Sequence, residues 1–186
     1  KALEILKKES ADSIESKAML RLAIFQSGKS LLFYQKLFNI WTGLGKPSLK
    51  PNPVKQKIFL LTDFTADNLE PLTSMFCAAF GVGAEIVLSP FDSVEQTILD
   101  PSSILYSSNP DMVIWVTSSR WLQQFTGNHT LVQQEKLEQA QETLVSLIST
   151  IQTHISSEIL VTNLPGQGFP LPSGVLCYKH LIGWNL

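Results

Sequence analysis

The chain has 186 residues, and 14 lysines and arginines stand against 16 aspartates and glutamates, which gives a net charge of −2. This balance excludes a nucleic-acid binder that relies on overall positive charge. Hydrophobic residues make up 44% and charged residues 16%, so we expect a folded chain with one core. Two cysteines, Cys77 and Cys177, favour reduced thiols in a cytoplasmic protein. No run approaches the roughly 18 apolar residues of a membrane span.

The apolar spacing of the first 45 residues predicts two or three short helices that precede the main domain. A linker is predicted over residues 46–57, where Pro47, Pro51 and Pro53 disfavour both a helix and a central strand. Residues 58–186 are predicted to form an α/β domain. Because the chain begins at Lys1 without a methionine, we interpret it as a piece of a longer protein.

Strands and helices alternate after the linker. Short apolar runs predict strands at 58–61, 85–88, 112–116 and 158–161, and helical spacing predicts helices at 69–80, 93–99 and 131–155, with a turn at 102–106. This order is typical of a parallel sheet between two helical layers, a three-layer αβα sandwich of the flavodoxin-like kind. Ligands bind such sheets beyond the carboxyl ends of the strands.

The residues at these strand ends are the candidate site. They comprise residues 62–65 (Thr62, Asp63, Phe64 and Thr65), residues 89–92 with Ser89 and Asp92, residues 117–120 (Thr117, Ser118, Ser119 and Arg120), and residues 163–168, which begin at Asn163. Two interpretations stay open for them. Asp63 or Thr65 either caps the next helix or faces a ligand, and Ser118 with Arg120 either caps a helix or binds a phosphate or carboxylate.

Other motifs give weaker evidence of a function. Gly28-Lys29-Ser30 resembles the tail of a phosphate-binding loop, but no strand precedes it and the first glycine is missing. The three histidines are far apart and show no zinc-like spacing, so no metal site is predicted. Cys177 and His180 lie three residues apart, which by itself is weak support for thiol chemistry.

Several segments, taken in order, resemble the N-terminal domain of FkbH-like proteins. They are Lys57-Ile-Phe-Leu-Leu-Thr-Asp-Phe-Thr65, Leu69-Glu-Pro-Leu72, Phe91-Asp92, Ile98-Leu-Asp-Pro-Ser-Ser-Ile-Leu-Tyr106 and Asn109-Pro-Asp111. The resemblance spans residues 57–165. It implies a part in polyketide or nonribosomal assembly lines, where a glyceryl unit from 1,3-bisphosphoglycerate is loaded onto an acyl carrier protein.

The same resemblance implies that the loading chemistry belongs to a HAD-type, phosphatase-like domain that follows this one. Its Asp-x-Asp-x-Thr motif is absent here, since Asp63 is not followed by a second aspartate two residues later. We therefore expect Mg only in that other domain, no cofactor in this one, and little or no catalysis by this chain alone. The expected partners are an acyl carrier protein or adjacent megasynthase domains, with no nucleic acid and no membrane.

The layout is also similar to that of SGNH hydrolases. Their Gly-Asp-Ser motif would fall on Thr62-Asp63-Phe64, which puts Phe64 at the nucleophile position, and their Gly-x-Asn-Asp motif has no match near Ser118. Classical ester hydrolysis is therefore disfavoured. One alternative is a divergent acyl or glyceryl transferase or esterase that uses Thr65, Ser118 or Ser119 as the nucleophile, although the sequence shows no evident base for it. The other is a purely structural interaction domain.

Overall fold

The computed structural model describes residues 13–25, 30–126 and 134–162. The predictions for Asn163, Cys177 and His180 lie outside these residues. The helices within them are α1 (Ile14–Ile24), α2 (Leu31–Gly43), α3 (Leu69–Phe80), α4 (Val94–Leu99), α5 (Ile104–Ser108), α6 (Ser119–Thr126) and α7 (Gln134–His154). The strands are β1 (Val54–Thr62), β2 (Val82–Leu88), β3 (Met112–Val116) and β4 (Glu158–Val161).

The four strands form one parallel sheet in the order β2-β1-β3-β4. Helices flank the sheet and two helices precede it, as the sequence predicts. In the register between β3 and β4, Met112 pairs with Glu158 and Trp115 with Val161. This strand order is typical of flavodoxin-like doubly wound sheets. β2 lies on one side of β1, and β3 and β4 lie on the other side, so the order of the strands reverses between β1 and β3. The carboxyl ends of β1 and β3 are therefore the expected ligand position.

The strand predictions are correct for β3 and β4 and too short for β1 and β2. The prediction takes only the buried half of β1, where Phe59 and Leu61 are fully buried. The exposed half begins at Val54, whose N–H donates to the carbonyl of Gly81, and Lys57 makes an ion pair of 3.0 Å with Glu85 on β2. Three of the four residues 54–57 are Lys or Gln, so this part of the strand lacks the apolar run that predicts a strand.

The predicted turn at 102–106 is correct for residues 102 and 103 and wrong after them, because Ile104–Ser108 is a short helix, α5. It begins just after Ser103, whose hydroxyl donates to the carbonyl of Thr97. Leu105 is its buried residue, and Asn109 ends it in a left-handed conformation with φ 46°. A five-residue helix has too few turns to show a helical apolar period, so the pattern resembled a turn.

The described residues fall into two compact units. The first unit includes those within 1–58 and 66–87, and the second those within 59–65 and 88–186. The core of the first unit joins α1, α2 and α3 through buried residues that include Leu20, Leu37 and Met75. The indole N–H of Trp41 donates to the carbonyl of Pro47 at 2.9 Å, which closes the segment after α2. The predicted domain boundaries at 45 and 57 stay a prediction.

The second unit has its own core around β3. Val113 and Trp115 are fully buried on this strand, and α7 contributes a stripe at helical spacing, Ala140, Leu144, Leu147 and Ile151. Trp115 and Trp121 pack edge to face with ring centroids 5.6 Å apart. Among the described helices, none is both long and apolar enough to cross a membrane.

Candidate functional site

Polar side chains from three strand ends meet in the second unit. We call Thr62, Asp63, Ser89, Asp92, Ser118 and Arg120 the strand-end cluster. They lie at or just after the ends of β1, β2 and β3, and hydrogen bonds or ion pairs link them in pairs. The sequence predicts each of these residues as part of the site. The structure brings them together at the point where the strand order reverses.

Asp63 is the central residue of the cluster. Its side chain is 2% exposed, and its Oδ2 accepts a hydrogen bond of 2.6 Å from the hydroxyl of Ser118. The same Ser118 oxygen accepts from the backbone N–H of Arg120 at 3.1 Å, in the first turn of α6. The Ser118 hydroxyl therefore donates to Asp63 and accepts from Arg120, so it joins the end of β1 to the N-terminus of α6.

Asp63 and Thr65 do not cap α3, so that interpretation is wrong. The helix begins after Asn68, and the turn just before it is closed by a backbone bond from Leu69 N–H to the Ala66 carbonyl. Asp63 instead reaches a residue 55 positions away. The capping interpretation of Ser118 is correct, because Ser118 serves the N-terminus of α6. This capping bond coexists with its bond to Asp63.

The buried hydroxyls of Ser89 and Thr117 and the half-buried hydroxyl of Thr162 connect the strand ends. The Ser89 hydroxyl oxygen accepts from the N–H of Thr62 at 3.0 Å. The Thr117 hydroxyl donates to the carbonyl of Thr162 at 2.9 Å, and Thr117 N–H donates to the Thr162 hydroxyl at 3.1 Å. These bonds satisfy backbone groups where the sheet ladder ends. Thr62, Ser89 and Thr117 therefore shape the cluster, and ligand contact by them stays a prediction.

Arg120 and Asp92 form the outer part of the cluster. A guanidinium nitrogen lies 3.0 Å from Asp92 Oδ2, and both side chains are substantially exposed. An ion pair this exposed adds about 0–1 kcal/mol to stability. Asp92 has φ 55°, a left-handed conformation that aspartate tolerates better than most residues. The Asp92 carboxylate partly neutralises the positive charge of Arg120. We therefore expect Arg120 to bind an anion more weakly than the sequence alone suggests.

A cavity of about 140 Å³ opens beside Asp63. We call it the Asp63 cavity. Its lining comes from the ends of β1 and β2 and from α4 and α6, and comprises Asp63, Asp92, Ser93, Val94, Glu95, Gln96, Trp121 and Gln124. Three of these side chains are carboxylates, so the cavity has an acidic lining.

The remaining predicted site residues lie around this cluster. Phe64 is half-buried and Thr65 is exposed, and Ser119 is the first residue of α6. Sequence reasoning missed Glu95, Gln96 and Gln124, which lie on the helices that line the cavity. Tertiary packing decides which face of each helix lines the cavity, so the sequence alone did not identify these residues. Phe91 falls within the predicted strand-end range 89–92, and the structure leaves it 59% exposed beside Asp92.

Titratable groups with displaced pKa values lie on other elements. Burial raises the pKa of the Cys77 thiol on α3 and of the Tyr106 hydroxyl on α5. Hydrogen bonds from the Ser102 hydroxyl and N–H lower the pKa of Asp100. Within the described ranges, no group of three or more His, Cys, Asp or Glu side chains is placed to hold a metal ion. The expectation of Mg in a separate domain is not addressed by this finding.

The fold is a doubly wound α/β domain, and carboxylates of the strand-end cluster lie where its strand order reverses. A family model described as FkbH, N-terminal domain, matches residues 57–167, and the chain belongs to this family. The predicted resemblance to FkbH-like proteins is thereby confirmed. The resemblance to SGNH hydrolases stays a prediction.

One solved structure gives a likeness of fold. It is the N-terminal part of the protein BF1531 from Bacteroides fragilis, which contains a phosphatase domain complexed with Mg. The match has a TM-score of 0.53 and 16% identity, and covers 89% of this chain and 37% of that chain. This chain therefore spans well under half of the length of its structural neighbour. No curated protein sequence matches the chain.

Proposed function

We propose that this chain is a binding domain of an FkbH-like protein, and that it receives a glyceryl-loaded acyl carrier protein at the strand-end cluster. Two findings support the proposal: membership of the FkbH N-terminal family, and a polar cluster at the reversal point of the sheet. The observation that carries it is the buried Asp63 carboxylate, held by Ser118 on the wall of a cavity. A carboxylate kept in this position suits recognition better than structural support.

Glyceryl loading itself is assigned to a separate domain. The structural neighbour has a phosphatase domain with Mg, and this chain spans 37% of that neighbour. The chain contains no Asp-x-Asp-x-Thr motif, which is the nucleophile motif that the family resemblance implies. In this proposal the phosphatase-like domain carries out the phosphoryl chemistry, and the present domain binds the carrier protein.

Phe91 is the side chain best placed for contact with the carrier protein. It is exposed beside the Asp92–Arg120 pair, and exposed aromatics flanked by charges are typical anchors of protein interfaces. We expect Phe91→Ala to weaken binding of the glyceryl-loaded carrier protein roughly tenfold, because aromatic anchors supply a large share of interface energy. Calorimetric titration of the 186-residue chain measures this change.

Phe80→Ala is the matched control for Phe91→Ala. Phe80 is 60% exposed, almost the same fraction as Phe91, and lies at the end of α3 in the first unit. Its loss should leave carrier affinity within about twofold of the wild type. Equal effects of the two substitutions, or no measurable binding by the wild-type chain, would contradict the proposal.

A second candidate function is acyl or glyceryl transfer with Ser118 as the nucleophile. The hydrogen bond of 2.6 Å from Ser118 to Asp63 favours it, since a nucleophile needs a neighbouring proton acceptor. A carboxylate is a weaker base than histidine, however. The histidine among the described residues, His154, packs on Tyr106, and its Nδ1 lies 2.9 Å from the Thr150 carbonyl.

Ser118→Ala separates the two functions. If the chain only binds, it should release no acyl group from a carrier thioester, and Ser118→Ala should leave that blank result unchanged. Mass spectrometry of the carrier protein measures thioester loss directly. Turnover by the wild type that falls at least about a hundredfold in Ser118→Ala would establish the transferase instead.

A further inference from the structure

Two phenylalanine rings are exposed side by side at the carboxyl end of α3, in the first unit. Phe80, the last residue of α3, is 60% exposed, and Phe25, which follows α1, is 39% exposed. Their rings pack edge to face with centroids 4.9 Å apart. Exposed apolar side chains that stand alone are ordinary, whereas two exposed rings in contact are typical of an interaction surface.

Two cations flank these rings. The Arg21 guanidinium lies 5.4 Å from the centroid of the Phe25 ring, a cation–π distance, and Arg21 Nε donates to the carbonyl of Ala79 at 2.8 Å. The aliphatic part of Lys50 lies against Gly81, where an added Cβ would be only 3.0 Å from Lys50 Cβ and Cδ. Gly81 has φ 87°, so glycine is favoured there both to end α3 and to admit the lysine. We use the name α3-end patch for Arg21, Phe25, Lys50 and Phe80.

The positive charge of the α3-end patch is not balanced within the described part of the chain. Neither Arg21 nor Lys50 forms an ion pair with a carboxylate of the described residues. Residues 16–62 contain eight lysines and arginines and no aspartate or glutamate. Asp67 and Glu70 lie at the opposite end of α3. The patch is therefore cationic, and a partner that complements it carries negative charge.

A protein segment fits the α3-end patch better than an anionic membrane does. Aromatic and arginine side chains are enriched where proteins bind proteins, and the planar guanidinium matches the geometry of a carboxylate. Only Nε of Arg21 has a hydrogen-bond acceptor among the described residues, so the terminal N–H groups are available to such a carboxylate. An anionic membrane requires a cluster of about four to eight basic residues, and contacts of the described residues place two at these rings.

We propose that the α3-end patch is a docking surface for an acidic protein segment. Apolar side chains of that segment pack on Phe25 and Phe80, and its carboxylates pair with Arg21 and Lys50. The inference does not rest on the proposed function, because the α3-end patch belongs to the first unit and the strand-end cluster to the second. The rings supply the apolar contact and the cations select the charge, so each contribution can be removed separately.

Calorimetric titration of the 186-residue chain with defined peptides tests this surface. The acidic probe is an acetylated and amidated peptide that repeats Glu-Glu-Leu-Phe three times. One comparison peptide has lysine in place of every glutamate, and another has serine in place of every leucine and phenylalanine. We expect the acidic probe to bind at least tenfold more tightly than either comparison peptide, and more weakly as salt is added, because salt screens exposed charges.

Lys50→Glu tests the contribution of charge. It places a carboxylate beside the incoming carboxylates, so we expect the affinity for the acidic probe to fall about tenfold. Lys36→Glu is the matched control, since Lys36 is an exposed lysine on α2 and the same reversal changes the net charge equally. It should leave the affinity within about twofold of the wild type. Equal losses in the two variants would overturn the proposal.

Phe80→Ala tests the contribution of the rings and separates this inference from the proposed function. We expect it to weaken binding of the acidic probe tenfold or more and to leave carrier affinity unchanged. Phe91→Ala, which removes an equally exposed ring from the second unit, should do the reverse. Acidic-probe binding without Phe91-dependent carrier binding would leave this inference standing alone, and carrier binding without probe binding would leave only the proposed function.

Other occupants of the α3-end patch give distinct results. Tighter Phe80-dependent binding to vesicles of phosphatidylserine and phosphatidylcholine in equal parts than to the acidic probe would assign the patch to a membrane surface. Self-association in sedimentation equilibrium that Phe80→Ala abolishes would assign it to a second copy of the chain. Either result would overturn the proposal, as would equal binding of the acidic and lysine peptides or no binding of the acidic probe.

Discussion

Leu61→Ala is expected to lower the free energy of unfolding by about 2–5 kcal/mol. Leu61 is fully buried on β1 and directly precedes Thr62 and Asp63. The substitution removes buried methyl groups and leaves a cavity under the strand-end cluster, and both effects destabilise the fold. Urea unfolding followed by circular dichroism measures the loss, with an unchanged slope showing that the unfolded state is the same.

Leu160→Ala is the matched control for this substitution. Leu160 lies on β4 and is 53% exposed, so the same change removes little buried surface. We expect a loss of about 0.5 kcal/mol or less, the usual size for surface substitutions. Similar losses for Leu61→Ala and Leu160→Ala would contradict the assignment of β1 as the buried centre of the sheet.

Trp115→Ala is expected to lower the free energy of unfolding by about 3–5 kcal/mol. Trp115 is fully buried on β3 and packs edge to face against Trp121, which in turn lies 5.1 Å from the ring of Phe125. Removing the indole therefore removes one of three aromatic rings that pack in a row, and Trp121, the middle ring, lines the Asp63 cavity. The same urea unfolding experiment measures this loss.

Trp115→Phe distinguishes packing from polarity at this position. Phenylalanine keeps an aromatic ring against Trp121 and removes the indole N–H, which has no partner among the described residues. The loss should be clearly smaller than for alanine, since less volume is emptied and one unpaired donor disappears. A phenylalanine variant as unstable as the alanine variant would contradict the packing described for β3.

The sequence predicts the sheet because its buried strands are continuous apolar runs. Phe59 and Leu61 on β1 and Val113 on β3 belong to such runs, and all three are fully buried. The first part of β1 was missed because residues 54–57 are mostly polar and none of them is fully buried. Backbone pairing leaves no apolar signature, so only half of this strand was predictable.

The location of the site was predictable from topology, but its central contact was not. Parallel strands end at one edge of the sheet, which places Asp63 and Ser118 near each other. Which oxygen meets which hydroxyl depends on the strand register and on where α6 begins, and these follow from packing across 55 residues of sequence. The helix faces that place Glu95 and Gln124 on the cavity are set by the same packing.

A proton–nitrogen NMR titration of the 186-residue chain with glyceryl-loaded acyl carrier protein tests most directly whether the strand-end cluster receives the carrier. We expect the largest amide shifts at Asp63, Ser89, Asp92 and Arg120, with the amides of α2 unchanged as the internal control. Shifts confined to α2 or to other elements of the first unit would contradict this assignment. An unchanged spectrum at saturating carrier concentration would contradict it equally.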